Sequence, residues 1–247
     1  MRKLLTAAIA SAALFAFGSV ALGEIVQTFD VKVKPPRAGK PVKLTVDQTA
    51  RETVAPQPSP LVREVLTFER GARFDGRRFK RCKLARLQAR GPKGCSRRSR
   101  IGTGTGTGSA KPIVPNVNAK LTLFNGERKA GRDSIYIFVL PDIGPTFVVV
   151  GKVRKKRGRY VLDFQVPPIK TLPGAPDASV TGVHTKTPVK RVTRKRGNRK
   201  QRYYLITAPK KCRKRWSAKA TFYYASGEVK TMKDSVRCKK AKRKRRR

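Results

Sequence analysis

The chain contains 247 residues, of which 60 are Lys or Arg and 14 are Asp or Glu, so its formal net charge at pH 7 is +46. This length suits one domain or two small ones and is sufficient for a hydrophobic core. The charge excludes the profile of an ordinary cytosolic enzyme and makes a polyanion the first partner to consider.

Residues 1–23 have the pattern of a secretory signal peptide. Arg2 and Lys3 precede an apolar run, Leu4–Leu22, which ends in the small-x-small sequence Ala21-Leu22-Gly23. Cleavage after Gly23 removes two basic residues and no acidic ones, and leaves a charge of +44 on 224 residues. An uncleaved N-terminal anchor is the alternative. Both interpretations predict that the remainder is secreted, in the extracellular space or at the cell surface.

The first half of the mature segment reads as short strands. Val31 and Val33 alternate with lysines, and residues 42–47 alternate apolar and polar side chains in the same way. A period of two is typical of half-buried strands. A Pro-rich loop follows at residues 56–60, and alternation returns at residues 66–69. Residues 84–90 could form a short helix, which Gly91-Pro92 would end.

Glycine occupies every second position of the segment Ile101–Gly108. A phosphate-binding loop is one interpretation, but the G-x-G-x-x-G pattern is absent and Lys111-Pro112 follows where a helix should begin. Glycine at period two instead leaves one face of a strand without side chains. We therefore predict that another backbone or a bulky neighbour approaches this strand closely.

The second half predicts more strands. Residues 119–124 run into Asn125-Gly126, a strong signal for a hairpin turn. Residues 135–140 and 147–150 are almost continuously apolar, and residues 160–166 alternate. Prolines interrupt the chain between residues 167 and 176. Further strand segments, at residues 180–187, 202–207, 217–224 and 228–236, complete a set of about ten or eleven.

These patterns predict an all-β fold. No segment keeps a 3.6-residue apolar period over a dozen positions, and many short strands separated by Gly and Pro favour a sandwich or a barrel. Of the two we predict a β-sandwich, for which an immunoglobulin-like shape is one form. We assign residues 24–238 to a single domain, which the Pro-rich segment 167–176 could subdivide. Residues 239–247 contain eight cations, so we predict a disordered basic tail.

The four cysteines are Cys82, Cys95, Cys212 and Cys238, and none lies in a C-x-x-C pair. Their spacing is not that of a zinc site, and an exported chain favours disulfides over free catalytic thiols. Three pairings are possible. The sequential pairing is the simplest because each bond closes a local loop, and each would stabilise the fold by about 3–4 kcal/mol on the loop-entropy account.

Candidate catalytic groups are few. His184 is the one histidine, and nothing beside it suggests a nucleophile and an orienting partner. Residues 126–131 have the spacing of a Walker A loop, but Arg132-Asp133 stand where Lys-Ser/Thr are required. A hydrolase acting on acidic polysaccharide, with two carboxylates from different strands, is the least favoured function. We expect a non-enzymatic protein with no cofactor and no metal.

Basic clusters are the remaining candidate site. Residues 152–159 and 194–200 each read as a hairpin turn with Gly near its tip, so their cations would project into solvent. Such clusters bind polyanions through counterion release, whereas the alternative is that the charge serves only solubility. With the tail, the predicted polyanion-binding residues are Arg154, Lys155, Lys156, Arg157, Arg159, Arg194, Lys195, Arg196, Arg199, Lys200, Lys242, Arg243, Lys244, Arg245, Arg246 and Arg247.

Cys, Gly and aromatic positions recur in a characteristic order between residues 60 and 238. They are Leu66-Thr-Phe68, Arg81-Cys82, Gly91-Pro-Lys-Gly-Cys-Ser96, Ser99-x-Ile101-Gly-Thr-Gly104, Val150-Gly-Lys152, Thr221-Phe-Tyr-Tyr224 and Asp234-Ser-Val-Arg-Cys238. This order resembles a group of uncharacterised secreted β-rich proteins of actinobacteria. The resemblance implies export, two local disulfides and a β-sandwich-like fold. It implies no activity, ligand or catalytic residue.

Together these features predict an exported structural or interaction protein that associates with anionic polymers of the cell envelope. The alternative is an extracellular nucleic-acid or general polyanion binder, for which Tyr203-Tyr204 and Phe222–Tyr224 could serve as stacking platforms beside basic residues. Adjacent residues of a strand face opposite ways, so one member of each aromatic group is expected in the core. Free DNA should displace the second kind of protein from its ligand and the first only weakly.

Overall fold

A computed structural model describes residues 24–55, 57–197 and 199–241. The predicted signal peptide, residues 1–23, and the tail cations at 242–247 lie outside the described residues. The described strands are β1 (Ile25–Lys34), β2 (Lys43–Glu52), β3 (Leu61–Phe68), β4 (Arg73–Phe74), β5 (Arg100–Ala110), β6 (Val114–Asn125), β7 (Asp133–Pro141), β8 (Phe147–Lys156), β9 (Arg159–Gln165), β10 (Ser179–Thr187), β11 (Arg191–Arg196), β12 (Arg199–Tyr204), β13 (Ile206–Thr207), β14 (Arg215–Tyr224) and β15 (Val229–Arg237). The helix α1 spans Leu84–Arg90, as predicted, and short 3₁₀ helices span Gly76–Arg78, Gly91–Gly94 and Arg97–Ser99.

Eleven strands form one antiparallel sheet in the order β1-β2-β10-β5-β6-β7-β8-β9-β3-β14-β15. The sheet curls until its edge strands, β1 and β15, face each other, so that it nearly closes into a barrel. Because every neighbouring pair is antiparallel and the number of strands is odd, β1 and β15 run in the same direction. The strands β11 and β12 form a separate hairpin, and β4 pairs with β13.

The seam between the two edge strands is closed by a few specific bonds. The backbone N–H of Val31 donates to the carboxylate of Asp234 at 2.7 Å. Just beyond β15, the N–H of Lys239 donates to the carbonyl of Pro36, and the N–H of Ala38 donates to the carbonyl of Lys239. These bonds satisfy backbone groups that an open sheet edge would expose.

The all-β prediction is confirmed. A β-sandwich has two separate sheets packed face to face, whereas here one curved sheet packs against itself. The side chains that point inward from its opposite sides meet in a common core, which includes Val46, Leu66, Ile135 and Phe164. The strands before and after the Pro-rich segment 167–176 belong to this same sheet. None of the helices in the described ranges has the length and apolar character needed to cross a bilayer.

Both disulfides have the sequential pairing, Cys82–Cys95 and Cys212–Cys238, with Cα atoms 5.3 and 5.9 Å apart. Cys82 packs with Leu87 of α1 against the outer face of β6 and β7. Cys238 belongs to a small apolar cluster with Trp216. Paired cysteines indicate an oxidising environment such as the extracellular space.

The hairpin predicted from Asn125-Gly126 is confirmed, since β6 pairs with β7, but Asn125-Gly126 does not itself form the turn. The loop between β6 and β7 spans residues 126–132. Asn125 is the last residue of β6 and is 1 % exposed. It does not lie in a solvent-exposed turn because its side chain hydrogen-bonds three backbone carbonyls of residues 76–80. A Cβ on Gly126 would lie 2.7 Å from the ring of Tyr136, so the glycine is needed for a close approach and not for a turn.

The alternating glycines of β5 confirm the predicted close approach. A Cβ on Gly104 would lie 2.2 Å from the carbonyl oxygen of His184 in β10, and one on Gly102 would lie 2.7 Å from that of Lys186. Side chains at these two positions would push β10 away from β5. The glycines therefore allow the sheet to bend where these two strands meet.

We predict that Gly104→Ala destabilises the protein by about 2 kcal/mol, because the new methyl group overlaps the β10 backbone. Gly106→Ala is the matched control. It lies on the same strand and face, but its Cβ would meet nothing closer than 3.7 Å. We expect a change within about 0.5 kcal/mol for the control. The measurement is the free energy of unfolding in urea, and equal effects of the two substitutions would contradict this account of the glycine pattern.

Candidate functional site

A basic groove of about 940 Å³ lies on the outer surface, between residues 77–83, the loop after β6 and the start of β11. Among the residues that line it, Glu127 is the one carboxylate and ten are cations. The cations are Arg77, Arg78, Lys80, Arg81, Lys83, Arg98, Arg128, Lys190, Arg191 and Arg194. Most of these side chains are exposed, so the groove presents a concentrated positive charge to solvent.

A second groove, of about 440 Å³, continues the basic surface. It shares Arg77 and Arg128 with the first groove and reaches Arg154 and Lys155 on β8. Its lining also contains two carboxylates, Asp75 and Asp133, so it is less strongly positive. Its neighbours include ion pairs such as Arg81 with Asp133 at 3.9 Å.

Asn125 holds the floor of the basic groove. Its Nδ2 donates to the backbone carbonyls of Gly76 at 3.0 Å, Phe79 at 3.4 Å and Lys80 at 3.1 Å. The backbone carbonyl of Asn125 accepts the N–H of Cys82 at 2.9 Å. Residues 76–82 belong to no β-strand, so their backbone groups have no neighbouring strand with which to hydrogen-bond. The buried side-chain amide of Asn125 provides partners for three of their carbonyls instead.

The lone carboxylate of the groove already has a partner. Glu127 accepts the N–H of Leu84 at 3.1 Å, where α1 begins and an N–H has no partner within the helix. The N–H of Glu127 in turn donates to the hydroxyl of Tyr136. This carboxylate is therefore engaged by the backbone. Three of the ten groove cations lie near carboxylates outside the lining, Arg78 near Asp75 and both Arg81 and Arg128 near Asp133. The other seven have no ion pair among the described residues.

The β11–β12 hairpin forms the opposite wall and rests on the 3₁₀ helix Gly76–Arg78. The guanidinium of Arg78 lies 4.3 Å from the ring centroid of Tyr203, and Arg194 donates to the carbonyl of Arg78 at 2.7 Å. Because these contacts join β11 and β12 to residues 76–78, cations from distant parts of the sequence meet in one groove.

The two predicted basic hairpins both exist, but the structure does not bring them into a single groove. Arg194 lines the basic groove, whereas Arg154 and Lys155 line the second one. Other predicted residues are exposed at the hairpins outside both linings: Lys156, Arg157, Lys195, Arg199 and Lys200. Arg196 belongs to β11, Arg159 lies 3.8 Å from Glu69, and the six tail cations are outside the described residues.

Arg154 is further held by a buried carboxylate. Asp163 is 3 % exposed and accepts from Arg63 Nε at 2.8 Å, and Arg154 contacts its other oxygen. The hydrogen bond from Arg63, assisted by both positive charges, lowers the pKa of Asp163. Arg154 thus stabilises this carboxylate and has less capacity for an external anion.

The sequence prediction missed the segment that contributes most to the groove. Residues 77–83 supply Arg77, Arg78, Lys80, Arg81 and Lys83. The signal was present, since five of seven consecutive residues are cations. It was overlooked because no strand alternation or glycine tip marks this segment as a turn.

The other candidates offer less. His184 lies on β10 and hydrogen-bonds Asp47, and its side chain is 44 % exposed on the outer face of the sheet. In the described part of the chain, no three His, Cys, Asp or Glu side chains are grouped as a metal site would require. Phe222 and Tyr224 are buried, so they do not form a stacking surface with Tyr223.

Comparisons of the chain with models of protein families, with curated proteins and with solved structures find no match.

We predict that Asn125→Ala lowers the free energy of unfolding by about 3 kcal/mol, because three backbone carbonyls lose a buried donor. The control is Asn118→Ala, since Asn118 is exposed and its side-chain amide donates to the carboxylate of Asp142 and not to a backbone carbonyl. We expect the control to cost less than about 0.5 kcal/mol. Urea denaturation measures both. If Asn125→Ala is as mild as the control, the amide does not hold residues 76–80.

Proposed function

We propose that the protein is an exported, non-enzymatic binding protein that associates with an anionic polymer of the cell envelope through the basic groove. The observation that carries the proposal is the composition of the groove, in which ten cations surround one carboxylate that the backbone already engages. Like charges at this density repel one another and weaken the folded state. A bound polyanion would relieve the repulsion.

The identity of the cations supports a phosphate or carboxylate ligand. Seven of the ten are arginines, whose planar guanidinium groups form paired hydrogen bonds with such anions. A row of cations along a groove also suits a chain of regularly spaced charges better than it suits one small anion. Affinity would then come from counterion release and would fall steeply with salt.

Two disulfides and the N-terminal sequence pattern support an extracytoplasmic location. Both cysteine pairs are bonded, as expected in an oxidising compartment. The sequence of residues 1–23 has the three parts of an export signal. Envelope polymers are anionic ligands that an exported protein encounters outside the cytoplasm.

The arrangement of the aromatic side chains favours an envelope polymer over a nucleic acid. The ring of Tyr203 lies under Arg78 at the groove, and Arg63 lies 5.2 Å from the ring centroid of Tyr223. Single-stranded nucleic acids gain much of their affinity by stacking bases on free aromatic rings. With Tyr203 covered, the groove offers charge without a stacking platform.

The test is a triple variant that neutralises three exposed groove cations, Arg77→Gln, Lys83→Gln and Arg191→Gln. Binding to isolated envelope and to a base-free phosphodiester polymer is measured between about 50 and about 200 mM salt. We expect at least a tenfold loss of affinity, and a slope of log K against log salt that is shallower by about two, because three phosphate contacts are lost.

The matched control removes the same charge elsewhere, through Lys120→Gln, Lys219→Gln and Lys233→Gln, three exposed lysines that do not line the groove. This control should bind almost as well as the parent protein. Equal losses in the two triple variants would show that net charge, and not the groove, governs binding. If DNA competes as well as the envelope polymer does, the protein is a general polyanion binder. Binding that does not change with salt would overturn both forms of the proposal.

A further inference from the structure

Side chains leave two cavities inside the barrel, of about 160 and 110 Å³. Their walls are mainly aliphatic and aromatic, with Val46 and Leu66 in the first and Val149 in the second. Gln48 and Glu64 line both cavities. The two spaces are therefore adjacent, and one polar pair lies between them.

This polar pair has unused hydrogen-bonding capacity. Gln48 and Glu64 are 6 % and 9 % exposed, and the amide nitrogen of Gln48 donates to Glu64 at 3.3 Å. The amide oxygen of Gln48 has no hydrogen-bond partner among the described residues. Burial raises the pKa of Glu64 to about 7, which shows how poorly its charge is solvated.

One other polar group of the cavity walls also has an open position. Ser179 lines the second cavity, and its Oγ has no hydrogen-bond partner among the described residues. Other polar groups of the interior have partners. Tyr224 donates to Gln27, so these two side chains complete each other. Two further carboxylates line the first cavity, but Asp234 accepts the N–H of Val31 and Glu69 accepts the N–H of Ser217 at 2.9 Å. Gln48, Glu64 and Ser179 thus have capacity for a ligand, and of these three Gln48 and Glu64 are the two that line both cavities.

Cavities of this kind suit a small apolar ligand. Small-molecule sites are mostly apolar and contain a few placed polar groups. An engineered apolar cavity of about 150 Å³ binds benzene, which is close to the size of the larger cavity here. A buried polar pair without enough partners lowers stability, and an apolar pair of similar shape would not. A ligand that completes the pair gives a physical reason for Gln48 and Glu64 to be present.

We propose that the barrel interior binds a small apolar molecule with one hydroxyl group, whose O–H donates to the Gln48–Glu64 pair while its apolar part fills the adjoining cavities. The atom of the pair that has no partner is an acceptor, the amide oxygen of Gln48, and Glu64 offers further acceptor positions when it is ionised, above its pKa of about 7. A donor on the ligand therefore completes the pair. A carboxylate ligand would instead place a second acceptor, and a like charge, beside Glu64.

The test is isothermal titration of the protein, at a pH above the Glu64 pKa of about 7 so that Glu64 is ionised, with octanol, with octyl methyl ether, which lacks the donor, and with octanoate. We expect octanol to bind, the ether to bind roughly fivefold more weakly, and octanoate to show no binding in the barrel. Octanol that does not bind overturns the proposal. An ether that binds as tightly as octanol overturns the role of the hydroxyl group, and octanoate that binds equally well contradicts the role of Glu64.

Two variants locate the binding. Val183 lines both cavities, so Val183→Phe should weaken octanol binding at least tenfold by filling the space. Val229→Phe makes the same change at an exterior position that is 50 % exposed, and it should bind octanol as the parent does. The double variant Gln48→Leu/Glu64→Leu removes every acceptor of the pair while keeping interior side chains of similar size, and it should make octanol and the ether bind equally. Octanol affinity that Val183→Phe and the double variant both leave unchanged would place the ligand outside the barrel and overturn the proposal.

Discussion

Closure of the eleven-stranded sheet is the constraint on which the rest of the structure depends. A sheet of this size must bend sharply to bring β1 and β15 together, and the bend requires backbones to approach closely. At Gly104 the carbonyl of His184 occupies the space that a Cβ would need. At the seam, a side-chain carboxylate from Asp234 replaces part of the ladder that two parallel edge strands would otherwise form. Closure then decides which residues face inward and which face solvent.

This division separates the charge from the core. Inward positions are apolar except for a few buried polar groups, and the cations are placed on the outside of the barrel and on the hairpins. The repulsion among them is resisted by the apolar core, by two disulfides and by local ion pairs such as Arg63 with Asp163. In the basic groove most of the cations have no carboxylate partner, and this is why the proposed function is assigned to it.

Local patterns in the sequence were sufficient to predict the class of fold. Alternation predicted half-buried strands, the spacing of the cysteines favoured the sequential pairing, and residues 84–90 form the helix that Gly91 ends. The order of strands could not be predicted in this way, because β3 pairs with β9 and β14, and β10 pairs with β2 and β5, across long stretches of chain. Asn125 illustrates the same limit. Asn-Gly is typical of tight turns, but here the Asn125 side chain hydrogen-bonds backbone carbonyls that are distant in sequence, and the residue lies at the end of a strand.

The sequence predicted only part of the basic groove, because the groove also depends on contacts between distant parts of the chain. Hairpin tips were recognised by their glycines, but Arg194 gains its neighbours from residues 77–83, more than a hundred positions earlier. Likewise, Gln48 and Glu64 are ordinary polar residues within alternating strands, and their isolation in the barrel interior follows only from closure.

The central claim is that one groove, and not the overall charge, recognises an anionic polymer. Its most direct test is an NMR titration of the isotope-labelled protein with a base-free phosphodiester polymer at near-physiological salt. The account predicts that backbone amide shifts concentrate in residues 77–83, 126–132 and 190–194. Shifts spread evenly over the exposed lysines and arginines, or confined to the hairpin tips at residues 156–158 and 195–200, would contradict it.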